Sequence, residues 1–165
     1  MDALGFDYVE GCMIDRIAKD GSFPSVVDDI TVWEQFPLAG LITYPVLTAN
    51  ILKIVAAKGF VNLGLAQHSA CNGLGCPREC EYIAVHHFKW SKGIVERLRR
   101  RIELYKTYGE AIWPESQKFL EYVEQHGGKI DVSDPAFCLA ESTTQYPFWE
   151  VVKQNVWCTA KELGL

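Results

Sequence analysis

Two adjacent histidines, a lysine and a tryptophan follow a short apolar stretch in the segment YIAVHHFKW. His86, His87, Lys89 and Trp90 thus place imidazole, ammonium and indole groups near one predicted strand end, where α/β proteins tend to bind ligands. A neutral imidazole ligates divalent cations, and a protonated one pairs with phosphate. Neighbouring strand residues point to opposite faces, so we expect at most one histidine in a given pocket, unless the strand has already ended there. The alternative is one core histidine and one surface histidine.

A second group of charged residues follows the first β-rich stretch. Asp15, Arg16 and Asp20 are predicted at the end of that strand or in the loop after it. They could form a surface ion pair, which contributes well under about 1 kcal/mol to stability. They could instead supply a general base for an acceptor hydroxyl, with the arginine holding a phosphate or a sugar acid. The residue types favour the structural role and leave the catalytic one open.

Glu34 lies in the segment VWEQFP, between the aromatic residues Trp33 and Phe36. Apolar surroundings would raise the pKa of its carboxyl group, and the aromatic rings could stack against a sugar. The alternative is an exposed carboxylate beside a core tryptophan. Both interpretations stay open on the sequence alone.

The chain has six cysteines, three of which fall in the segment CNGLGCPREC. With His68, the thiols of Cys71, Cys76 and Cys80 could form a Cys₃His metal site. Their spacings of four and three intervening residues fit no standard zinc pattern, and no signal peptide accompanies them. Thiols in a reducing compartment are therefore the favoured interpretation.

The strands that must position these residues are predicted from alternation and β-forming residue types. One strand is expected over Phe6–Ala18. Two β-rich runs within 50–67, separated by Lys58-Gly59, resemble a hairpin or strand pair that delivers His68 to its far end. A further strand is expected over EYIAVHHF, ending on the histidine pair.

Helices dominate the rest of the chain. They are predicted from Ser91, from Pro114 and from about Pro147, each with apolar residues at helical spacing. A strand-rich part over 1–90 followed by a helical part over 91–165 predicts an α/β fold in which helices cover a sheet. No linker or repeat interrupts it, so we expect a single domain.

Composition and charge limit the functional classes. The 165 residues are 48% hydrophobic, which is typical of one packed globular domain. The excess of 21 acidic over 16 basic residues argues against a nucleic-acid partner, and the run RLRRR is best explained as the solvated face of a helix. The chain shows no secretion signal and no membrane-spanning stretch, so a cytoplasmic protein is expected.

Four segments resemble the later half of family-two-like bacterial glycosyltransferases with a GT-A fold: GFDYVEGCMIDRIAKDGSFP, WEQFPLAGLIT, GLAQHSA and VHHFKWSKGIVERLRRRIELY. The resemblance extends over about four fifths of the chain and is most specific at DRIAKDG and VHHFKW. It implies a partial GT-A-like sheet with helices packed on it and a helical C-terminal part.

The resemblance also implies an activity. It is the transfer of a sugar from a nucleoside-diphosphate sugar to the hydroxyl of a carbohydrate acceptor, assisted by Mn²⁺ or Mg²⁺. In the family an Asp-x-Asp motif in the N-terminal half holds the donor pyrophosphate through the metal, and this sequence contains no such motif. The chain is therefore similar to the acceptor-side portion of such an enzyme. The resemblance implies that this portion needs the Asp-x-Asp half, or a partner chain that supplies it, to be active.

Under this interpretation each candidate residue has a role. The metal ligand would be His87, with His86 as the second choice, and the catalytic base would be Asp15 or Glu34. The residues expected to bind the donor or its phosphates are Arg16, His68, His86, His87 and Lys89. The residues expected to contact the acceptor are Trp33, Phe36 and Trp90. The alternative is a non-catalytic metal- or ligand-binding module that uses His68 and the cysteines at 71, 76 and 80.

Overall fold

A computed structural model of the chain describes residues 5–76, 83–108 and 114–142. These residues form two compact units, each assembled from separate stretches of sequence. The described parts of the first unit are 5–13, 50–76 and 83–85, and those of the second are 14–49, 86–108 and 114–142. Within the described ranges no helix has the length and apolarity needed to cross a membrane.

Within the described residues, five strands combine with helices in a mixed α/β fold, as the sequence predicts at this coarse level. The strands are β1 (Tyr8–Ile17), β2 (Leu38–Gly40), β3 (Leu52–Ala57), β4 (Ile83–His87) and β5 (Ala140–Glu141). The first part of β1 belongs to the first unit and pairs antiparallel with β3. The last part of β1 belongs to the second unit and pairs antiparallel with β2. β2 in turn pairs antiparallel with β5. β4 also pairs with β1. The strands predicted over Phe6–Ala18 and EYIAVHHF are thus confirmed.

The helices follow the predicted apolar spacing. They are α1 (Val32–Gln35), α2 (Thr43–Leu47), α3 (Ile94–Tyr108) and α4 (Pro114–Gln125). On α3 the buried side chains are Ile94, Leu98 and Ile102, one every four residues, as expected for an amphipathic helix. The predicted start at Pro114 is confirmed, whereas the helix predicted from about Pro147 lies outside the described residues.

The predicted hairpin within 50–67 is wrong in its second half. β3 is present, but the run FVNLGLAQ forms a loop that ends in a short 3₁₀ helix over Leu65–Gln67. Side-chain bonds stabilise this loop, because Asn72 Oδ1 accepts a hydrogen bond from the Asn62 amide at 2.6 Å. Polar side chains that bond to the backbone compete with strand pairing in this way. His68 therefore lies in a loop, where its Nδ1 is 2.6 Å from the carbonyl oxygen of Leu52.

The core of the second unit gathers side chains from strands and helices. Its buried members are Ile17, Ile42, Val46, Leu47, Trp90, Ile94, Leu98, Phe119, Val123, Ile130 and Phe137. Trp90 and Phe119 lie at the centre, with ring centroids 4.9 Å apart and both side chains inaccessible to solvent. This core holds the end of β1 against the loop that follows β4.

Candidate functional site

The histidine pair divides between two faces at the end of β4. His87 lies near Asp15 of β1, whereas His86 lies near the next residue of that strand, Arg16. The division follows from the geometry of strands, in which successive side chains point to opposite sides. The structure therefore divides the candidate residues between two faces, as the alternation predicts: Asp15 and His87 share one face, and Arg16 and His86 share the other.

Asp15 is a fully buried carboxylate that receives several hydrogen bonds. Its Oδ2 accepts from the backbone amides of Ile42 and Thr43, at 3.1 and 2.5 Å. Its Oδ1 accepts from the Thr43 hydroxyl and the Trp90 indole N–H, each at 2.9 Å. A buried carboxylate is tolerated when it is bonded in this way, and here it ties β1 to the start of α2 and to the core tryptophan.

The charge of Asp15 is stabilised in place. Burial by itself raises the pKa of this carboxyl group, but the contact with His87, the charge of Lys89 and the Thr43 hydroxyl together lower the pKa below its ordinary value. Asp15 is therefore ionised near neutral pH. Because it is inaccessible and already accepts four hydrogen bonds, it does not suit the predicted role of a base acting on an acceptor, and it is better placed to orient His87.

His87 combines a buried nitrogen with a partly accessible ring. Its Nδ1 lies 3.4 Å from Asp15 Oδ1, and one third of the side chain, 33%, is exposed. That nitrogen is buried and makes no well-aligned hydrogen bond to the described residues. Since an ionised carboxylate only accepts, a proton on Nδ1 is favoured. This tautomer leaves Nε2 as the nitrogen with a lone pair for a proton or a metal.

Lys89 places a cation beside this pair. Its Nζ donates to Thr43 Oγ1 at 3.0 Å and lies 4.3 Å from the centroid of the Trp90 ring. The face thus contains one buried anion, one oriented imidazole and one ammonium group. The ammonium can donate to an anionic oxygen such as that of a phosphate, and the imidazole can do so only when Nε2 is also protonated.

The opposite face is closed around Arg16. This residue is fully buried, and its Nε donates to His86 Nδ1 at 3.1 Å. Its Nη1 donates to the carbonyl oxygens of Pro37 and Ser142, and its guanidinium lies 4.8 Å from the centroid of the Trp33 ring. The predicted role of holding a phosphate requires an accessible guanidinium, and the structure buries this one instead.

His86 is a neutral hydrogen-bond acceptor. Burial, together with the charge of Arg16, lowers the pKa of His86 to about 4. Because its Nδ1 accepts from Arg16, its proton must be on Nε2, so neither nitrogen is left to ligate a metal. Of the two histidines, His87 is the one whose surroundings suit ligand binding.

The residues expected to contact an acceptor differ in accessibility. Phe36 and Trp90 are completely buried, so neither presents a surface to a ligand. Trp33 is partly buried, and its ring meets those of His86 and Phe88 edge-on at 4.9 and 5.1 Å. Of the three, Trp33 alone has some exposed surface in this structure.

Glu34 has a local structural role that the sequence analysis did not identify. Its Oε2 accepts from the Thr31 amide at 2.9 Å and from the Thr31 hydroxyl at 2.8 Å, while Thr31 Oγ1 accepts from the Glu34 amide. This capping box begins α1. The bonds from Thr31 lower the pKa of Glu34, contrary to the rise considered from its aromatic neighbours. The carboxylate is exposed, so it stays accessible to an acceptor.

The remaining candidates concern metals. His68 and Cys71 belong to the first unit, and Cys80 lies outside the described residues. Within residues 5–76, 83–108 and 114–142, no three His, Cys, Asp or Glu side chains lie close enough together to hold a metal ion. The buried Nδ1 of His87 beside a carboxylate suits a metal-ligating histidine, but it supplies one ligand and not a complete shell.

Sequence reasoning missed Thr43, whose hydroxyl joins Asp15 to Lys89. Its signal in the sequence is weak: a single hydroxyl residue that ends the apolar run LAGLI. Comparison of the chain with protein-family models, curated proteins and solved structures found no match.

Proposed function

We propose that this chain is the acceptor-side portion of a GT-A-type glycosyltransferase, which transfers a sugar from a nucleoside-diphosphate sugar to a carbohydrate hydroxyl. The observation that carries the proposal is the partly exposed imidazole of His87, oriented by the buried carboxylate of Asp15 and adjacent to Lys89. The sequence resemblance at DRIAKDG and VHHFKW supports it, because Asp15 and His87 belong to these two segments. The antiparallel strand pairs of a mixed α/β fold are compatible with it.

His87 and Lys89 would act on the diphosphate of the donor. A divalent metal, when bound, neutralises the charge that develops on the leaving diphosphate. His87 would hold that metal through Nε2, and Lys89 would donate to a phosphate oxygen. Asp15 would keep the imidazole oriented without contacting the donor, as carboxylates near ligating histidines commonly do.

Glu34 and Trp33 would serve the acceptor. Glu34 is exposed and ionised, so it can accept a proton from a hydroxyl, and its lowered pKa makes it a weaker base than an unperturbed glutamate. Trp33 precedes it on the same short helix and offers part of an aromatic surface for a sugar ring, on the face of Arg16 and His86 and not on that of His87. In this proposal Glu34 replaces Asp15 as the preferred base, because Asp15 is inaccessible.

The proposal is tested by binding, which does not require catalytic turnover. The purified chain is titrated with Mn²⁺ in the presence of UDP, GDP or CDP, and paramagnetic broadening of histidine ring signals is recorded by NMR. We expect selective broadening of the His87 signals with at least one nucleotide. The His87→Asn variant should weaken Mn²⁺ binding by more than about tenfold, in line with the usual effect of changes around a metal-ligating histidine.

A matched control uses a histidine of the other unit. His68→Asn removes an imidazole that bonds to the Leu52 carbonyl, and it should leave Mn²⁺ binding unchanged. Binding that is absent with all three nucleotides, or equal in the His87 and His68 variants, would overturn the proposal. Stoichiometric zinc lost on replacing Cys71 would favour the alternative of a metal-binding module.

A further inference from the structure

Thr43 lies between the charged groups of the candidate site. It is 2% exposed, its hydroxyl donates to Asp15 Oδ1 at 2.9 Å, and it accepts from Lys89 Nζ at 3.0 Å. The direction of both bonds is fixed by chemistry, because a carboxylate only accepts and an ammonium only donates. The single hydroxyl proton therefore points to Asp15, and the oxygen lone pairs face Lys89.

Asp15 Oδ1 faces more donors than it can bond equally well. The Thr43 hydroxyl and the Trp90 indole each lie at 2.9 Å, whereas His87 Nδ1 is at 3.4 Å. A carboxylate oxygen offers about two lone-pair positions, so two short bonds use its capacity. The longer contact to His87 and the unsatisfied state of its buried Nδ1 are what this competition predicts.

We infer that Thr43 is a positioning residue that sets the strength of the contact between Asp15 and His87. By occupying Oδ1, its hydroxyl leaves His87 oriented but weakly bonded, and by accepting from Lys89 it fixes the ammonium beside the same carboxylate. This inference deepens the proposed function. The relevance of Thr43 to ligand binding depends on that proposed function. The hydrogen-bond competition itself concerns the chain without a ligand.

The competition is tested by removing one donor at a time. Thr43→Val keeps the size of the side chain and removes the hydroxyl, so His87 Nδ1 gains access to a lone pair of Oδ1. We expect its Nδ1–H proton resonance to move downfield and to exchange more slowly with water, because both follow hydrogen-bond strength. Thr43→Ser retains the hydroxyl and should keep the wild-type signal.

A control and a second variant complete the experiment. Thr107→Val removes an exposed hydroxyl on α3, which bonds to the carbonyl of Glu103, and should not affect His87. If Thr43→Val fails to fold, Trp90→Phe removes the other short donor to Oδ1 and should shift the His87 proton in the same direction.

The outcome separates this inference from the proposed function. An unchanged His87 Nδ1–H signal in a folded Thr43→Val or Trp90→Phe chain, or a Thr43→Ser chain that behaves like Thr43→Val, would refute the competition at Asp15. The Mn²⁺ and nucleotide titration can fail while the NMR shift is observed, in which case the hydrogen-bond network stands and the glycosyltransferase proposal does not.

Discussion

At the scale of single residues, the two histidines of β4 have opposite environments although they are adjacent in sequence. His86 Nδ1 accepts a hydrogen bond from the cationic Arg16, while His87 Nδ1 faces the anionic Asp15. An arginine stabilises neutral imidazole, and a carboxylate stabilises the protonated nitrogen that faces it. The sequence predicts the alternation of faces, but it cannot assign the faces, because the partners are about 70 residues away along the chain.

The low pKa of His86 predicts a loss of stability in mild acid. An unfolded histidine binds a proton near pH 6.5, whereas the folded state resists protonation until about pH 4. The unfolded state therefore holds more protons between these values, and lowering the pH through this interval favours unfolding. Urea unfolding at about pH 7 and about pH 5 should show lower stability at pH 5.

The His86→Gln variant isolates this contribution, because glutamine can accept from Arg16 but does not titrate. Its loss of stability between the two pH values should be smaller than that of the wild-type chain. Equal losses in both proteins would mean that His86 is not the group that resists protonation.

Replacement of Asp15 is expected to be costly to the fold. Asp15→Asn replaces one carboxylate oxygen, which accepts hydrogen bonds, with an NH₂ group, which donates them. Some of the N–H groups of Ile42, Thr43 and Trp90 that bond to the carboxylate therefore lose their acceptor. Buried donors without partners cost about 1–3 kcal/mol each, so the free energy of unfolding should fall by at least about 2 kcal/mol. Urea denaturation followed by tryptophan fluorescence measures this change.

The matched variant Asp28→Asn changes an exposed aspartate in the loop before α1. Its effect should stay within about 0.5 kcal/mol, as for most surface substitutions. If the two variants proved equally stable, the buried carboxylate would not be the structural centre of this region.

At the scale of elements, the helical spacing of apolar residues predicted α3 and α4, because each buries side chains three or four residues apart. β1 and β4 were predicted from their β-forming residue types, and neither shows an alternating pattern of burial. The second half of the expected hairpin failed for a local reason. Ala66 and Gln67 adopt positive φ angles of 55° and 64°, and a loop held by side-chain bonds replaces the strand. Nothing in the residue types of the run FVNLGLAQ indicates such a conformation, since alanine rarely adopts it.

Gly11 gives a prediction for the first unit, because β1 passes there between two other strands. A Cβ at this position would lie 2.6 Å from Val55 Cγ1, 2.7 Å from Val85 Cγ2 and 2.8 Å from the carbonyl oxygen of Ile83. The last of these is backbone, so the strands must move apart to accommodate even a methyl group. Gly11→Ala should therefore destabilise the chain by about 1–3 kcal/mol in urea denaturation.

Gly59→Ala is the control, because a Cβ at that position meets no atom within 4 Å. The substitution should leave stability nearly unchanged. A Gly11→Ala chain as stable as the Gly59→Ala chain would show that the close approach of the strands is not required.

At the scale of the whole molecule, the sequence predicted strands before residue 91 and helices after it, but the core of the second unit includes residues from both sides of that boundary. Ile17, Ile42 and Trp90 pack in one cluster with Ile94 and Phe119. Under the glycosyltransferase resemblance, Trp90 is expected to contact the acceptor, but it is buried in this core. Its burial depends on Phe119 of α4 and on the carboxylate of Asp15, which are distant in sequence and carry no local signal.

This shared core predicts that the part of the second unit within residues 1–90 does not fold without the rest of the chain. The fragment keeps Ile17, Ile42 and Trp90 but loses the side chains that cover them from α3, α4 and the segment that follows. Since burial of apolar area supplies most of the stabilisation, residues 14–49 of the fragment should give poorly dispersed ¹H–¹⁵N signals, unlike the same residues in the full chain. Mixing it with residues 91–165 should restore part of the dispersion, because the missing side of the core is returned. Well-dispersed signals of residues 14–49 in the fragment alone would instead show that the strand-rich part folds this region without α3 and α4.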